Sequence, residues 1–129
     1  MRMKNISAED ARLSRLTSIA LALPETERLI HGSHAQFLIR KKTFCYFLDD
    51  HHGDGIVGAT FKVLPGENKA LVEAQPGRFY LPSYIASRGW VALRLDRGKI
   101  DWKEVKDLLT TSYVLVAPKR LADRLVSLD

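Results

Sequence analysis

Arg40-Lys41-Lys42 places three adjacent cations between two apolar runs, Phe37-Leu38-Ile39 and Phe44-Cys45-Tyr46-Phe47-Leu48. Cations on an exposed turn reach successive phosphates and release the counterions condensed there, which is chemistry for a polyanion. The structural alternative is a solvated turn whose charge discourages edge pairing. A second basic group comprises Arg88, Trp90, Arg94, Arg97 and Lys99. Trp90 and Arg94 fall on one face of an alternating run, where an exposed indole beside a guanidinium could stack on bases, worth ~1–3 kcal/mol per base. Strand aromatics are mostly core, however, and Arg94 would then pair with a carboxylate. Lys119, Arg120 and Arg124 form a third group, whose structural role would be to complement the negative end of the preceding helix. The candidate nucleic-acid-binding residues are therefore Arg40, Lys41, Lys42, Arg88, Trp90 and Arg94.

Other chemistries find weaker support. His31 and His34 have His-x-x-His spacing, and His51-His52 stand between Asp50 and Asp54. Imidazoles and carboxylates ligate zinc and other divalent metals, but neither a His-Glu-x-x-His helix nor a cysteine pair accompanies them. No metal or other cofactor is expected. Cys45 lies inside an apolar run and reads as a small inert hydrophobe, since a thiol nucleophile needs an accessible, electropositive setting. Ser33 and Ser83 lack a nucleophile-elbow context. Gly53-x-Gly55-x-x-Gly58 matches the bare dinucleotide pattern but enters a strand where a helix is required, so the match is chance. Glu25-Thr26-Glu27 reads as a solvated loop, and no catalytic site is expected.

The elements that must position these residues follow from period and punctuation. Ser7 and Asp10 have cap-box spacing, and Leu13, Leu16, Ala20 and Leu23 recur on one helical face that Pro24 ends. The period then changes to two. Phe37–Ile39, Phe44–Leu48 and Val57–Val63 predict three strands joined by the basic turn and by an Asp/His/Gly turn over 49–55, an antiparallel meander. Pro65 suits the first position of a helix carrying Ala70, Leu71 and Ala74, which Pro76-Gly77 closes. Arg78–Leu81 predicts a short edge strand and Trp90–Leu95 a clearer one. Asp101 and Glu104 start the best-defined helix, with Ile100 and Val105 placed as a staple. Its buried stripe is Trp102, Val105, Leu108, Leu109, Tyr113 and Val116. Pro118 ends it and begins a last helix with Leu121, Leu125 and Leu128.

Composition bounds the rest. The 129 residues suit one domain over 1–129, and a chain of this size buries enough surface to fold without staples. One cysteine permits no intrachain disulfide and fits a reducing cytoplasm. The N-terminal residues do not read as a signal peptide, and no window reaches the ~20 apolar residues of a membrane span. A net charge of +5 gives a field that attracts polyanions, though charge alone speaks to non-specific association.

Four stretches carry a family resemblance: Leu23-Pro24-Glu25; Phe37-Leu38-Ile39-Arg40; Arg88-Gly89-Trp90-Val91-Ala92-Leu93-Arg94-Leu95-Asp96; and Ile100-Asp101-Trp102 leading to Tyr113 and Ala117-Pro118-Lys119-Arg120-Leu121. In this order they resemble the MmcQ/YjbR proteins, small bacterial domains described as DNA-binding from their shape. The resemblance implies an α+β fold, an antiparallel β-sheet with helices packed on one face, in a double-wing or secretion-chaperone-like arrangement. Two departures stand out: His34-Ala35-Gln36 replaces a common proline, and the turn Asp49–Gly55 is long. Three functions are in play. The first is a DNA-binding or regulatory module contacting phosphates through basic turns. The second is a protein-interaction module, secretion-chaperone-like, for which a dimer is one expected form. The third is a small ligand-binding domain or enzyme, with a pocket near His31 and His34. None of the three involves a membrane.

Overall fold

The structure, a computed structural model, describes residues 9–127, with side chains to residue 125. Helix α1 runs Ala11–Ala20 and is followed by strands β1 Thr26–His31, β2 His34–Ile39, β3 Lys42–Asp49 and β4 Val57–Lys62. Helix α2 Glu67–Ala74, strands β5 Phe79–Tyr80 and β6 Trp90–Arg94, and helices α3 Trp102–Val116 and α4 Lys119–Ser127 complete it. Single 3-10 turns occupy His51–Gly53 and Ala86–Arg88. The strands form one antiparallel sheet in the order β1-β2-β3-β4-β6-β5. The predicted α+β class and the meander are both present.

Alternation divides the sheet. Paired positions Ala35/Phe47, Phe37/Cys45, Phe61/Val91 and Ala59/Leu93 bring one set of apolar side chains to one face. Leu13, Leu16 and Ala20 of α1, Val105, Leu109 and Tyr113 of α3 and Leu121 of α4 close over them, and Leu71 and Val72 of α2 pack against the same cluster. Tyr46, Thr60, Trp90 and Ala92 face the other way. They too are withdrawn from water, because the connection from Leu81 to Gly89 crosses that face between β5 and β6.

Where β2 meets β3 the register jumps between Phe37 and Leu38, leaving Phe44 without an opposite residue. Next to it the β3–β4 ladder ends at Cys45/Phe61, and helix α3 bridges the following pair: the buried Ser112 hydroxyl donates to the Phe44 carbonyl at 2.6 Å and accepts from the Lys62 amide at 2.8 Å.

Several expectations need correction. Ser7 and Leu128 lie outside the described residues. Asp10 is itself the cap of Ala11–Ala20, its carboxylate accepting from the Arg12 amide. Thr26-Glu27 begins strand β1; this edge strand is mostly exposed, so it shows no apolar alternation to read. Pro65 precedes the helix, whose cap is Gly66, and the inward residues of α2 are Asn68, Leu71 and Val72, while Ala70 and Ala74 face solvent. Asp101 caps α3 as expected, but the Glu104 side chain turns to Arg78 and does not complete a reciprocal box.

Candidate functional site

Arg40 and Lys41 form the two-residue loop of the β2–β3 hairpin, with Ile39 opposite Lys42. Both loop residues are left-handed, at φ +51° and +67°. A loop with positive φ at both positions favours Asn-Gly, because a Cβ crowds the backbone there. This chain holds two long cations in that conformation instead.

Strand register shows what lies beside them. Cys45 opposes Phe61 and Lys62 opposes Trp90, so the start of β3, the end of β4 and the start of β6 meet at one end of the sheet. The hairpin tip and the β4–β6 end therefore lie at the same end of the sheet. An open groove of about 640 Å³ lies at this end, lined by Lys62, Gly66, Lys69 and Arg88 among others. Asn68 fixes its wall. Its amide donates to the Ala86 and Trp90 carbonyls at 2.9 and 3.1 Å, tying α2 to the connection that carries Arg88.

The cations of this end are not equivalent. Arg40 pairs with Glu25 at 2.7 Å, and Glu25 also faces Arg120 at 4.0 Å. The hydrogen bond from Arg40 holds the Glu25 carboxyl below its usual range. Lys119 is satisfied by Asp123 one turn on. Lys41, Lys42, Lys62, Lys69 and Arg88 make no side-chain ion pair among the described residues. Lys62 and Lys69 escaped the sequence reading because each is an isolated lysine; only the register brings them to Arg88.

Two sequence candidates leave the site. Trp90 shares a face with Arg94 as expected, but it is only 8% exposed and lies 6.0 Å from the Tyr46 ring beneath the Leu81–Gly89 connection. It is core and cannot stack on a base. Arg94 opposes Gly58 at the far end of the sheet and makes two hydrogen bonds of 3.0 Å to Asp96. Arg97 and Lys99 follow it to that end, so the second basic group is split and only Arg88 joins the hairpin.

The histidines divide as well. His31 meets Gln36 at 3.0 Å on the exposed edge, while His34 approaches His51 with ring centroids 5.4 Å apart. His34 Nε2 lies 3.0 Å from the Asp49 carbonyl, which can only accept, so Nε2 carries the proton. Among the described residues no group of three or more His, Cys, Asp or Glu is arranged to hold a metal. Cys45 is fully buried, and burial pushes its thiol pKa up, away from the thiolate a nucleophile needs. No helix among the described residues is long and apolar enough to cross a membrane.

Comparison with known proteins places this geometry. A family model described as YjbR matches residues 21–115. No curated protein matches. Among solved structures the chain is similar to Deinococcus radiodurans protein DR2400, of domain family DUF419, with 21% identity and a TM-score of 0.65 over 80% of this chain and 76% of that one. At that identity the likeness shows the fold.

Proposed function

The chain belongs to the YjbR family, and from that premise we propose that it is a non-catalytic DNA-binding module that holds the phosphate backbone at the hairpin end of its sheet. One observation carries the reading. Left-handed Arg40 and Lys41 turn the hairpin at the same end of the sheet as a groove whose cations, Lys62, Lys69 and Arg88, make no ion pair among the described residues. Conformational strain spent on presenting charge is a signature of use, since a solvated turn would do better with Asn-Gly. Contacts of this kind position a protein without reading sequence, so binding is weak, with Kd of roughly 10⁻⁴ to 10⁻⁶ M at physiological salt.

The test is fluorescence anisotropy of labelled random duplex and single strand across a salt series. Neutralising three to five phosphates gives a log–log slope of about −3 to −4.5. Lys41→Ala/Lys42→Ala and Lys62→Ala/Lys69→Ala/Arg88→Ala should each flatten that slope. Lys99→Ala/Lys103→Ala, away from the groove, should leave it unchanged. No binding at low salt, or equal slopes in all variants, would refute the reading.

A second reading rests on β1. It is the outermost strand, its outer edge has no strand partner among the described residues, and it exposes Leu29 and Ile30 at 43% and 48%. Such an edge can add a strand from a protein partner or a second copy. That reading expects a dimer by light scattering that Ile30→Lys dissociates; a monomer at high concentration removes the dimer.

A further inference from the structure

A separate cavity of about 210 Å³ opens on the sheet face opposite the helices. Tyr46 and Leu48 of β3 form its floor. Pro82 and Ile85 of the crossing connection form a wall, and His51 and Tyr84 stand at its mouth. Three features of this cavity call for an explanation beyond folding.

The first is strain. Asp50, His52 and Tyr84 are left-handed non-glycine residues, at φ +57°, +58° and +70°; Tyr84 lines the cavity, and Asp50 and His52 are the immediate neighbours of its lining residue His51. Strained conformations persist where the surroundings over-determine them, and they gather at ligand sites. The second is Tyr84 itself. It is 82% exposed, so no packing in the fold needs its ring, yet the ring meets His52 edge-on at 5.8 Å. The third is polarity. The lining is mainly apolar, with the His51 imidazole and the hydroxyl-bearing Tyr46, Ser83 and Tyr84 as its polar residues. Burial first, and then the nearby His52 and His34, hold the His51 pKa below its ordinary value. The shift favours the neutral imidazole, which has one donor and one acceptor nitrogen.

We infer that this cavity is a binding site for a small uncharged aromatic molecule of one or two fused rings, seated on Tyr46 and Leu48 and hydrogen-bonded to His51. Size fits: a cavity of about 150 Å³ suffices for benzene. Charge fits as well, because Asp50 and Asp54 flank His51 in sequence and would repel a carboxylate. The inference goes beyond the DNA-binding reading and does not depend on it.

The test titrates phenol, indole and benzoate into the full-length protein without nucleic acid, followed by amide NMR shifts. A ligand of about eight heavy atoms with ordinary efficiency binds at about 0.1–1 mM. Phenol and indole should give saturable shifts at His51, Ser83 and Tyr84, with benzoate at least about tenfold weaker. Ile85→Trp fills the cavity, and Ser83→Trp blocks its mouth from an exposed position that the fold tolerates. Both should abolish saturation. Absence of saturation to about 10 mM, equal binding of benzoate, or unchanged binding in both filled variants overturns the inference.

Discussion

At the residue scale, Arg40 and Lys41 turn the β2–β3 hairpin at positive φ, a conformation in which each Cβ crowds the backbone. Arg40-Lys41-Lys42 was readable as a basic turn because two apolar runs bracket it. The backbone conformation was not readable, because an Arg-Lys pair carries no signal for positive φ as Asn-Gly does. The structure therefore adds a trade-off. Arg40→Asn/Lys41→Gly should raise stability by about 1–2 kcal/mol by relieving two left-handed side chains. The Arg40–Glu25 pair it breaks is exposed and offsets little of that gain. The same variant should lose DNA affinity and flatten its salt dependence. Chemical denaturation and anisotropy on one preparation check both signs. A turn that loses stability on receiving Asn-Gly would show that strain was misassigned. Trp90 teaches the converse. Its type and spacing suited a base-stacking role, but whether a strand aromatic faces water depends on which connection crosses it, and that is tertiary information.

At the element scale, apolar periodicity gave every helix and every buried strand, and it failed where burial is one-sided or absent. Strand β1 carries no alternation, because an exposed edge needs none, and its first residues, Thr26-Glu27, look like a solvated loop in sequence. Helix α2 was placed, but its inward face was not, since buried Asn68 looks polar in any apolar count. Ser112 is the sharper case. Nothing local marks it within the stripe of α3, yet it bridges the Phe44 carbonyl and the Lys62 amide where the β3–β4 ladder ends. Ser112→Ala should cost about 2–3 kcal/mol, more than an ordinary hydrogen bond, because it leaves a buried carbonyl and a buried amide unpaired. Ser112→Thr retains the hydroxyl and should recover part of the loss if its methyl is accommodated. Gly58 is a second such position. An added Cβ would lie 2.8 Å from the Tyr80 hydroxyl and 3.0 Å from the Leu93 carbonyl. Gly58→Ala should therefore destabilise by about 1–3 kcal/mol through overpacking. Tyr80→Phe in the same background should recover part of that loss by removing the nearer atom. Equal stability of Gly58→Ala and the parent, by denaturant midpoint, would refute the close approach.

At the scale of the whole molecule, the net charge of +5 understates the asymmetry. Among the described residues the hairpin end gathers lysines that make no ion pair, with Arg88. The far end holds Asp49, Asp50, Asp54 and Asp96 together with Arg97 and Lys99, and its Arg12 and Arg94 are engaged with Asp10 and Asp96. Strand β3 separates the two ends by about 20 Å, roughly twice the Debye length at physiological salt, so each presents its own field. Composition gives only the sum of these charges; antiparallel register sorts them. The far end also determines how the fold responds to acid. Hydrogen bonding to Arg12 lowers the Asp10 pKa, and hydrogen bonding to Arg94 lowers that of Asp96. Asp96 additionally accepts from the Val57 amide, tying the start of β4 to the end of β6, and Arg12 donates to the Leu95 carbonyl, tying α1 to the end of β6. For a depressed carboxyl the unfolded chain takes up protons first. The stability from these pairs is therefore complete above about pH 5 and is lost as pH falls through the folded values, below the ordinary carboxylate range near 4. Partial exposure keeps each contribution to about 1 kcal/mol or less. Asp96→Asn should lower stability at pH 7 while leaving it near the parent's at pH 2–3, so the two acid-unfolding curves converge. Parallel curves from pH 7 to pH 3, by thermal melts, would mean that Asp96 contributes through shape and not through its charge.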